Sequence, residues 1–172
     1  GRCGMSKATI RLAVFDVDGV LTNGQLYRQD DGQEIKAFHS RDGLGLKALM
    51  SFGIEVAVIT ARKAPLVDQR MAELGIEHYV SGCEDKQTAL TELLQRLSLS
   101  ADEVAYVGDD LVDWPAMSLC GFKCVPGDGD AWLREKADYV THAHGGFGAA
   151  REVAEKILAD QNLLDAWRDR FQ

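Results

Sequence analysis

Positive charge is in short supply in this chain: 19 lysines and arginines stand against 27 aspartates and glutamates, a net charge of −8 over 172 residues. That balance argues against a nucleic-acid surface and leaves no polybasic patch for anionic lipid. A small anionic ligand would have to be met by a local cationic pocket. Long apolar runs are missing too. None approaches the roughly 20 residues that a membrane span requires, and no charged start followed by an apolar core resembles a signal peptide, so a cytoplasmic protein is expected. Cysteine is sparse. Cys3, Cys83, Cys120 and Cys124 include no Cys-x-x-Cys pair, and Cys120 with Cys124 lacks an accompanying histidine cluster. This argues against zinc and against a disulfide framework, and leaves reduced thiols as the expectation. No internal repeat, low-complexity segment or linker divides the chain. One domain over 1–172 is expected, long enough to bury a core without disulfides or a structural metal. Residues 1–4, ahead of Met5, read as a cloning remnant.

What is present is acid at particular places. The apolar run 12–15 reads as a buried strand of a parallel sheet, and it ends in Asp16 and Asp18, two aspartates flanking Val17. Period two puts both carboxylates on one side of the chain as the strand runs out. In open α/β sheets ligands gather beyond the carboxyl ends of strands. Gly19 lets the backbone turn and approach a small anion. Crowded carboxylates repel, and a divalent cation such as Mg²⁺, which takes oxygen ligands and bridges to phosphate, relieves them. Taken alone, an Asp-x-Asp-Gly segment is equally a solvated turn.

Further along, 26–29 and 34–38 flank the turn-forming stretch 30–33 and predict a hairpin over the first strand's end. Asp42 is positioned to cap a helix over 42–52, which Gly53 stops. The run 54–59 is a second core strand, leading into Thr60 and the cations Arg62 and Lys63. A helix over 64–74 with Pro65 in its first turn, a short strand over 78–80 and a helix over 85–97 follow, and Lys86 lies in the first turn of the last. A lysine there opposes the helix dipole unless a phosphate or carboxylate is near. The strand 103–107 ends in a second acidic cluster, Asp109, Asp110 and Asp113. Trp114 and Pro115 open a helix to about 119. Short strands over 122–125 and 138–140 surround a helix near 130–136, and the last helix runs over 148–160. The tail, 161–172, is amphipathic and is expected to dock on a neighbour.

Strands alternating with helices at this spacing predict an α/β fold, a doubly wound, mostly parallel sheet of Rossmann-like form. Four polar signals then fall at strand exits or at the helix start just beyond: Asp16 with Asp18, Thr60, Lys86, and Asp109 with Asp110 and Asp113. Each has a bland explanation singly. Their shared edge points to phosphoryl transfer.

In this order, Asp-Val-Asp-Gly-Val, a strand-ending Thr, a Lys and Gly-Asp-Asp-x-x-Asp resemble the motifs of the haloacid dehalogenase superfamily of phosphotransferases. Over nearly the whole chain the closer resemblance is to the family of 3-deoxy-D-manno-octulosonate 8-phosphate phosphatases. It rests on 16–22, Arg41-Asp42-Gly43, Thr60-Ala61-Arg62-Lys63-Ala64, 106–115 and Gly145-Gly146-x-Gly148-Ala149. Ala61 and Ser40 depart from it, standing where glycine and asparagine are expected. The resemblance implies a haloacid-dehalogenase-type fold without a large cap domain, in which the insertion 22–40 holds only a hairpin. It also implies a homotetramer whose subunits cover each other's sites, and a phosphorylated keto-deoxy sugar acid as substrate, in lipopolysaccharide precursor biosynthesis.

Asp16 would then attack phosphorus and form an aspartyl phosphate. Asp18 would protonate the leaving oxygen and later deprotonate water, and the resemblance implies that its backbone carbonyl also binds metal. Mg²⁺ would be held by Asp16, Asp18 and Asp109, with Asp110 and Asp113 supporting the metal shell or Lys86. Thr60 would donate to a phosphoryl oxygen and Lys86 would neutralise developing charge. Arg41, Arg62 and Lys63 are candidates for the sugar carboxylate, and surface cations or intersubunit ion pairs are as good a reading of them. His142 and His144 read as loop histidines, the glycines at 145, 146 and 148 as turn formers, and Trp114 and Trp167 as packing residues. Three alternatives stay open: a phosphatase of another sugar acid phosphate, a receiver-like phosphorylation module, and a scaffold that only binds metal. The receiver is disfavoured because its phosphorylated Asp ends the third strand and not the first.

Overall fold

The apolar run at the start of the chain forms β1 (Leu12–Phe15), and all four of its residues are buried. A strand buried on both faces needs helices above and below it, and the chain supplies them in alternation. The computed structural model describes residues 8–172, so Cys3 and the proposed remnant 1–4 lie outside the described residues. After β1 come β2 (Tyr27–Arg28), β3 (Glu34–Ile35), α1 (Ser40–Ser51), β4 (Glu55–Ile59), α2 (Pro65–Leu74), β5 (His78–Val80) and α3 (Lys86–Leu97). The second half adds β6 (Val104–Val107), α4 (Trp114–Met117), β7 (Phe122–Val125), α5 (Ala131–Lys136), β8 (Tyr139–Val140), α6 (Ala149–Asp160) and α7 (Leu164–Asp169).

Six strands form one sheet in the order β5-β4-β1-β6-β7-β8, and every adjacent pair is parallel. The doubly wound, parallel expectation holds. β1 lies near the centre, with Leu12 opposite Glu55 on one side and Val104 on the other. Period two then sorts the core. Ala13 and Phe15 pack with residues of α1, α2 and α6, whereas Leu12 and Val14 pack with residues of α3, α4 and α5. Because all six strands run the same way, their carboxyl ends open along a single edge.

Several boundaries differ from expectation, each for a physical reason. His39 and not Asp42 caps α1: its Nδ1 accepts from the Arg41 N–H at 3.1 Å. Asp42 lies inside the first turn, buried, where its Oδ1 accepts from the Arg151 N–H of α6 at 2.9 Å. Burial drives the Asp42 carboxyl above its ordinary range, although that hydrogen bond opposes the shift. The hairpin strands shrink to two residues each, and Phe38 is partly buried against the first core cluster under Arg70. Ala101–Glu103 is a 3-10 turn that closes a capping box on Ser100, so β6 starts one residue late. Gly148, expected to begin the last helix, is its cap, in the left-handed conformation at φ 110°. The short helix after Trp114 stops at Met117 and is preceded by a 3-10 turn over Leu111–Asp113.

The tail packs on its own chain. Trp167 is buried in the first core cluster with Arg151 stacked over its ring, Arg170 covers Phe52, and the Gln161 amide donates to the Ile10 carbonyl. The buried part of this segment is therefore covered by the chain itself, while Phe171 stays exposed.

Candidate active site

At the exit of β1 the Asp16 N–H donates to the Val107 carbonyl at 3.1 Å, which extends the β1–β6 ladder by one rung and fixes the nucleophile candidate to the sheet. Its Oδ1 accepts from the Val17 N–H at 2.7 Å and faces Lys86 Nζ at 3.2 Å. Lys86 reaches this point because Asp85 caps α3, accepting from the Thr88 N–H at 3.0 Å. The cap sets lysine at the first helical position with its stem buried. The ammonium also donates to Asp113 Oδ1 at 2.7 Å. Burial works to lower the Lys86 pKa, but Asp16 and Asp113 together outweigh it and leave it raised.

β6 delivers the second acidic group. Asp113, wholly buried, uses Oδ2 to accept the N–H groups of Asp109 at 3.1 Å and Asp110 at 3.4 Å. This folds the loop over its own carboxylate and turns Asp109 inward. Asp110 goes elsewhere: its carboxylate caps the 3-10 turn, accepting from Leu111 N–H at 2.8 Å, and is exposed. One carboxylate oxygen from each of Asp16, Asp109 and Asp113 lies within 4.8 Å of the others. Burial first, and then mutual repulsion, raises the Asp16 carboxyl well above its ordinary range; burial with Asp113 and Asp110 pushes Asp109 up to about 7.

That arrangement fits a divalent cation. The donors are all oxygen, as a hard cation requires, and their crowding costs free energy that a positive ion would recover. The backbone has also made room: Gly19 sits at φ 87°, and a Cβ built on it would overlap the Asp109 carboxylate. Gly145 is equally constrained, since a Cβ there would overlap the Gly19 carbonyl, and the Gly146 N–H donates to the Val20 carbonyl at 3.0 Å. The 145–148 loop thus buttresses the turn after β1 and does not itself extend the acidic cluster.

Thr60 follows β4, buried, with its N–H on the Val80 carbonyl at 2.9 Å and its Oγ1 accepting from Arg62 N–H at 3.4 Å. The side chain of Asp18 lies outside the three-carboxylate cluster. Its Oδ1 accepts from Lys36 Nζ at 2.6 Å, and its Oδ2 faces Arg62 Nε at 3.9 Å. Arg62 also pairs with Glu34 of β3, which Arg28 approaches at 3.3 Å. Lys63 is exposed and lays its stem against Gly82. Arg41 is exposed with its guanidinium near His39 at 3.5 Å, so the structure does not bring it to the acidic cluster. Sequence reasoning missed Lys36 and Glu34. Their signal is faint: in a strand they share one face while Ile35 takes the other, but a two-residue strand gives period two little to act on.

Residues 80–151 match the haloacid dehalogenase-like hydrolase family. The 3-deoxy-D-manno-octulosonate 8-phosphate phosphatase of Salmonella typhi is 48% identical over 162 residues, covering 94% of this chain and 86% of that one. That of Escherichia coli K12 is 47% identical over 156 residues, covering 91% and 83%. Among solved structures, the phosphatase of the same designation from Yersinia pestis superposes with a TM-score of 0.90 at 45% identity, covering 92% of this chain and 86% of that one. The enzyme from Moraxella catarrhalis, in complex with a magnesium ion, a phosphate ion and a KDO molecule, gives 0.92 at 45% identity, covering 95% and 94%.

Proposed function

Because this chain belongs to the 3-deoxy-D-manno-octulosonate 8-phosphate phosphatase family of haloacid dehalogenase-like hydrolases, we propose that it is a Mg²⁺-dependent phosphatase. It cleaves 3-deoxy-D-manno-octulosonate 8-phosphate to the free sugar acid and phosphate. The observation that carries this reading is the position of Asp16, which faces Lys86 at 3.2 Å inside a cluster with Asp109 and Asp113 at the sheet's carboxyl edge.

Asp16 attacks phosphorus as the bond to the sugar oxygen breaks, and Asp18 gives that oxygen its proton. Water then attacks the aspartyl phosphate, losing its proton to Asp18 as phosphate departs and Asp16 is restored. Lys86 stays paired with Asp113 and balances charge on Asp16, while the Thr60 hydroxyl donates to a phosphoryl oxygen. Asp16, Asp109 and the backbone carbonyl of Asp18 are the proposed holders of Mg²⁺, with Asp113 placed to share or orient the site and Asp110 shaping the loop. The ion supplies charge neutralisation between a carboxylate nucleophile and a phosphate dianion.

The sugar acid's carboxylate is assigned to Arg62 and Lys63, beside Thr60, and to Arg41 of a neighbouring subunit. The chain acts as one cytoplasmic phosphatase domain in lipopolysaccharide precursor biosynthesis, and as a homotetramer. The exposed Leu26, Tyr27 and Ile35 of the hairpin support the assembly. Among the described residues no helix is long and apolar enough to cross a membrane.

The test is phosphate release from a panel of sugar phosphates with and without Mg²⁺. The expected result is repeated turnover, fastest on 3-deoxy-D-manno-octulosonate 8-phosphate and abolished by chelation. Stoichiometric labelling without turnover would favour a receiver-like module, and no reaction at all a metal-binding scaffold.

A further inference from the structure

The hairpin between β1 and α1 carries a lysine that belongs to none of the four acidic and polar motifs at the sheet's edge. Lys36 follows β3 directly, and its side chain is only 2% exposed, its ammonium donating to Asp18 Oδ1 at 2.6 Å. Glu34, two residues back and on the same face, pairs with Arg62, which in turn faces the second oxygen of Asp18 at 3.9 Å. Ile35 between them points outward and is 49% exposed. The two inward groups of the hairpin thus extend a chain of alternating charge, Lys36, Asp18, Arg62 and Glu34, through the one carboxylate that stands apart from the three-carboxylate cluster. A surface lysine would keep its head in water. Here the head is inside and the carboxylate is its partner.

We propose that Lys36 is a positioning residue for Asp18. By fixing one oxygen, the ammonium presents the other to the leaving oxygen in the first step and to water in the second. The seating of the hairpin thereby becomes a condition for acid/base chemistry. This rests on the phosphatase reading and on Asp18 as its acid and base. It differs from a purely structural role, because only the proton-transfer steps depend on where the Asp18 carboxylate points.

Two esters separate these roles. p-Nitrophenolate leaves without a proton, so its first turnover needs no general acid, whereas a sugar alkoxide does; water attack needs the base in both cases. In Lys36→Met, first turnover on p-nitrophenyl phosphate stays within about threefold of the parent enzyme and is followed by a steady state at least about tenfold slower. The result is a burst of p-nitrophenol. On 3-deoxy-D-manno-octulosonate 8-phosphate the first turnover itself slows by at least about tenfold. Lys36→Arg, which keeps a charged donor, recovers most of the rate, and Lys36→Gln is a second variant should the Met form fold poorly. Adding Lys36→Met to Asp18→Asn costs nothing further.

Equal slowing of both first turnovers in folded protein would overturn the positioning role, as would unchanged rates or additivity with Asp18→Asn. If the parent enzyme turns over and Asp18→Asn impairs it while the Lys36 variants behave normally, only this inference fails. Absence of turnover by the parent enzyme would instead remove the phosphatase reading itself.

Discussion

Gly19 and Asp109 adjoin so tightly that a side chain on the first would displace the carboxylate of the second: a Cβ built at Gly19 overlaps Asp109 Oδ2. Glycine is needed there twice over, since φ at 87° is also a conformation that other residues enter only at about 1–3 kcal/mol. Gly19→Ala should therefore lower turnover on the order of 10²-fold through a misplaced metal ligand. The concentration of Mg²⁺ needed for half-maximal rate should rise with it. Titrating activity against Mg²⁺ checks this, and wild-type behaviour in the variant would show that the loop relaxes freely.

The same crowding makes stability depend on pH. Asp109, with an ordinary value of 3.8, is pushed to about 7, and Asp16 moves in the same direction. A carboxyl raised in the fold contributes stability that is full below its unfolded value and lost as pH rises through the folded one. Metal-free protein should accordingly lose stability between about pH 4 and pH 7 from these groups. Mg²⁺ binds the ionised form, so the rise in Tm on adding it should be larger at pH 8 than at pH 5.5. Equal increments at both pH values would mean that these carboxylates do not hold the ion.

Lys86 counterbalances two buried acids. Lys86→Met would leave Asp113 and Asp16, both buried, without their cation. Removing one partner of a buried pair costs about 3–5 kcal/mol, and urea denaturation should show a loss of that order along with loss of turnover. The deficit should be smaller at pH 5 than at pH 8, because Asp16, whose carboxyl burial already holds above its ordinary range, can then take up a proton. A deficit that does not change with pH would place the lysine's contribution in packing.

Parallel topology explains why so much of the site was readable. Once 12–15, 54–59 and 103–107 are taken as parallel strands, Asp16, Thr60 and Asp109 must emerge at one edge, and the cap at Asp85 brings Lys86 to meet them. No comparable rule locates Lys36, whose importance depends on how a short hairpin folds back over Asp18. Asp42 misled because an aspartate ahead of an apolar helix looks like a cap until His39 is seen to fill that place. The tail's apolar residues, Leu163, Leu164 and Trp167, announce a buried face without saying whose surface covers it; the chain's own α1 and α6 side does.

The exposed face of the hairpin bears on the proposed homotetramer. Tyr27 and Ile35 are each about half exposed and stand opposite one another across the two strands, so their side chains form one patch. Phe38 takes no part in it, being partly buried in the subunit's own core. The opposite face of the same hairpin carries Glu34 and Lys36, which grip Arg62 and Asp18. One element thus carries an exposed apolar face and a charged face turned to the site, and in the proposed assembly pairing of hairpins would steady the charged face. Tyr27→Glu with Ile35→Glu should shift the mass measured by light scattering from tetramer towards monomer. It should also lower kcat/KM for the sugar acid phosphate at least about tenfold, while p-nitrophenyl phosphate, which asks little of the sugar pocket or of a general acid, changes by no more than about threefold in its first turnover. If the variant becomes monomeric yet keeps its preference for the sugar acid phosphate, the neighbouring subunit contributes nothing to recognition, and Arg41 has no part in holding the substrate.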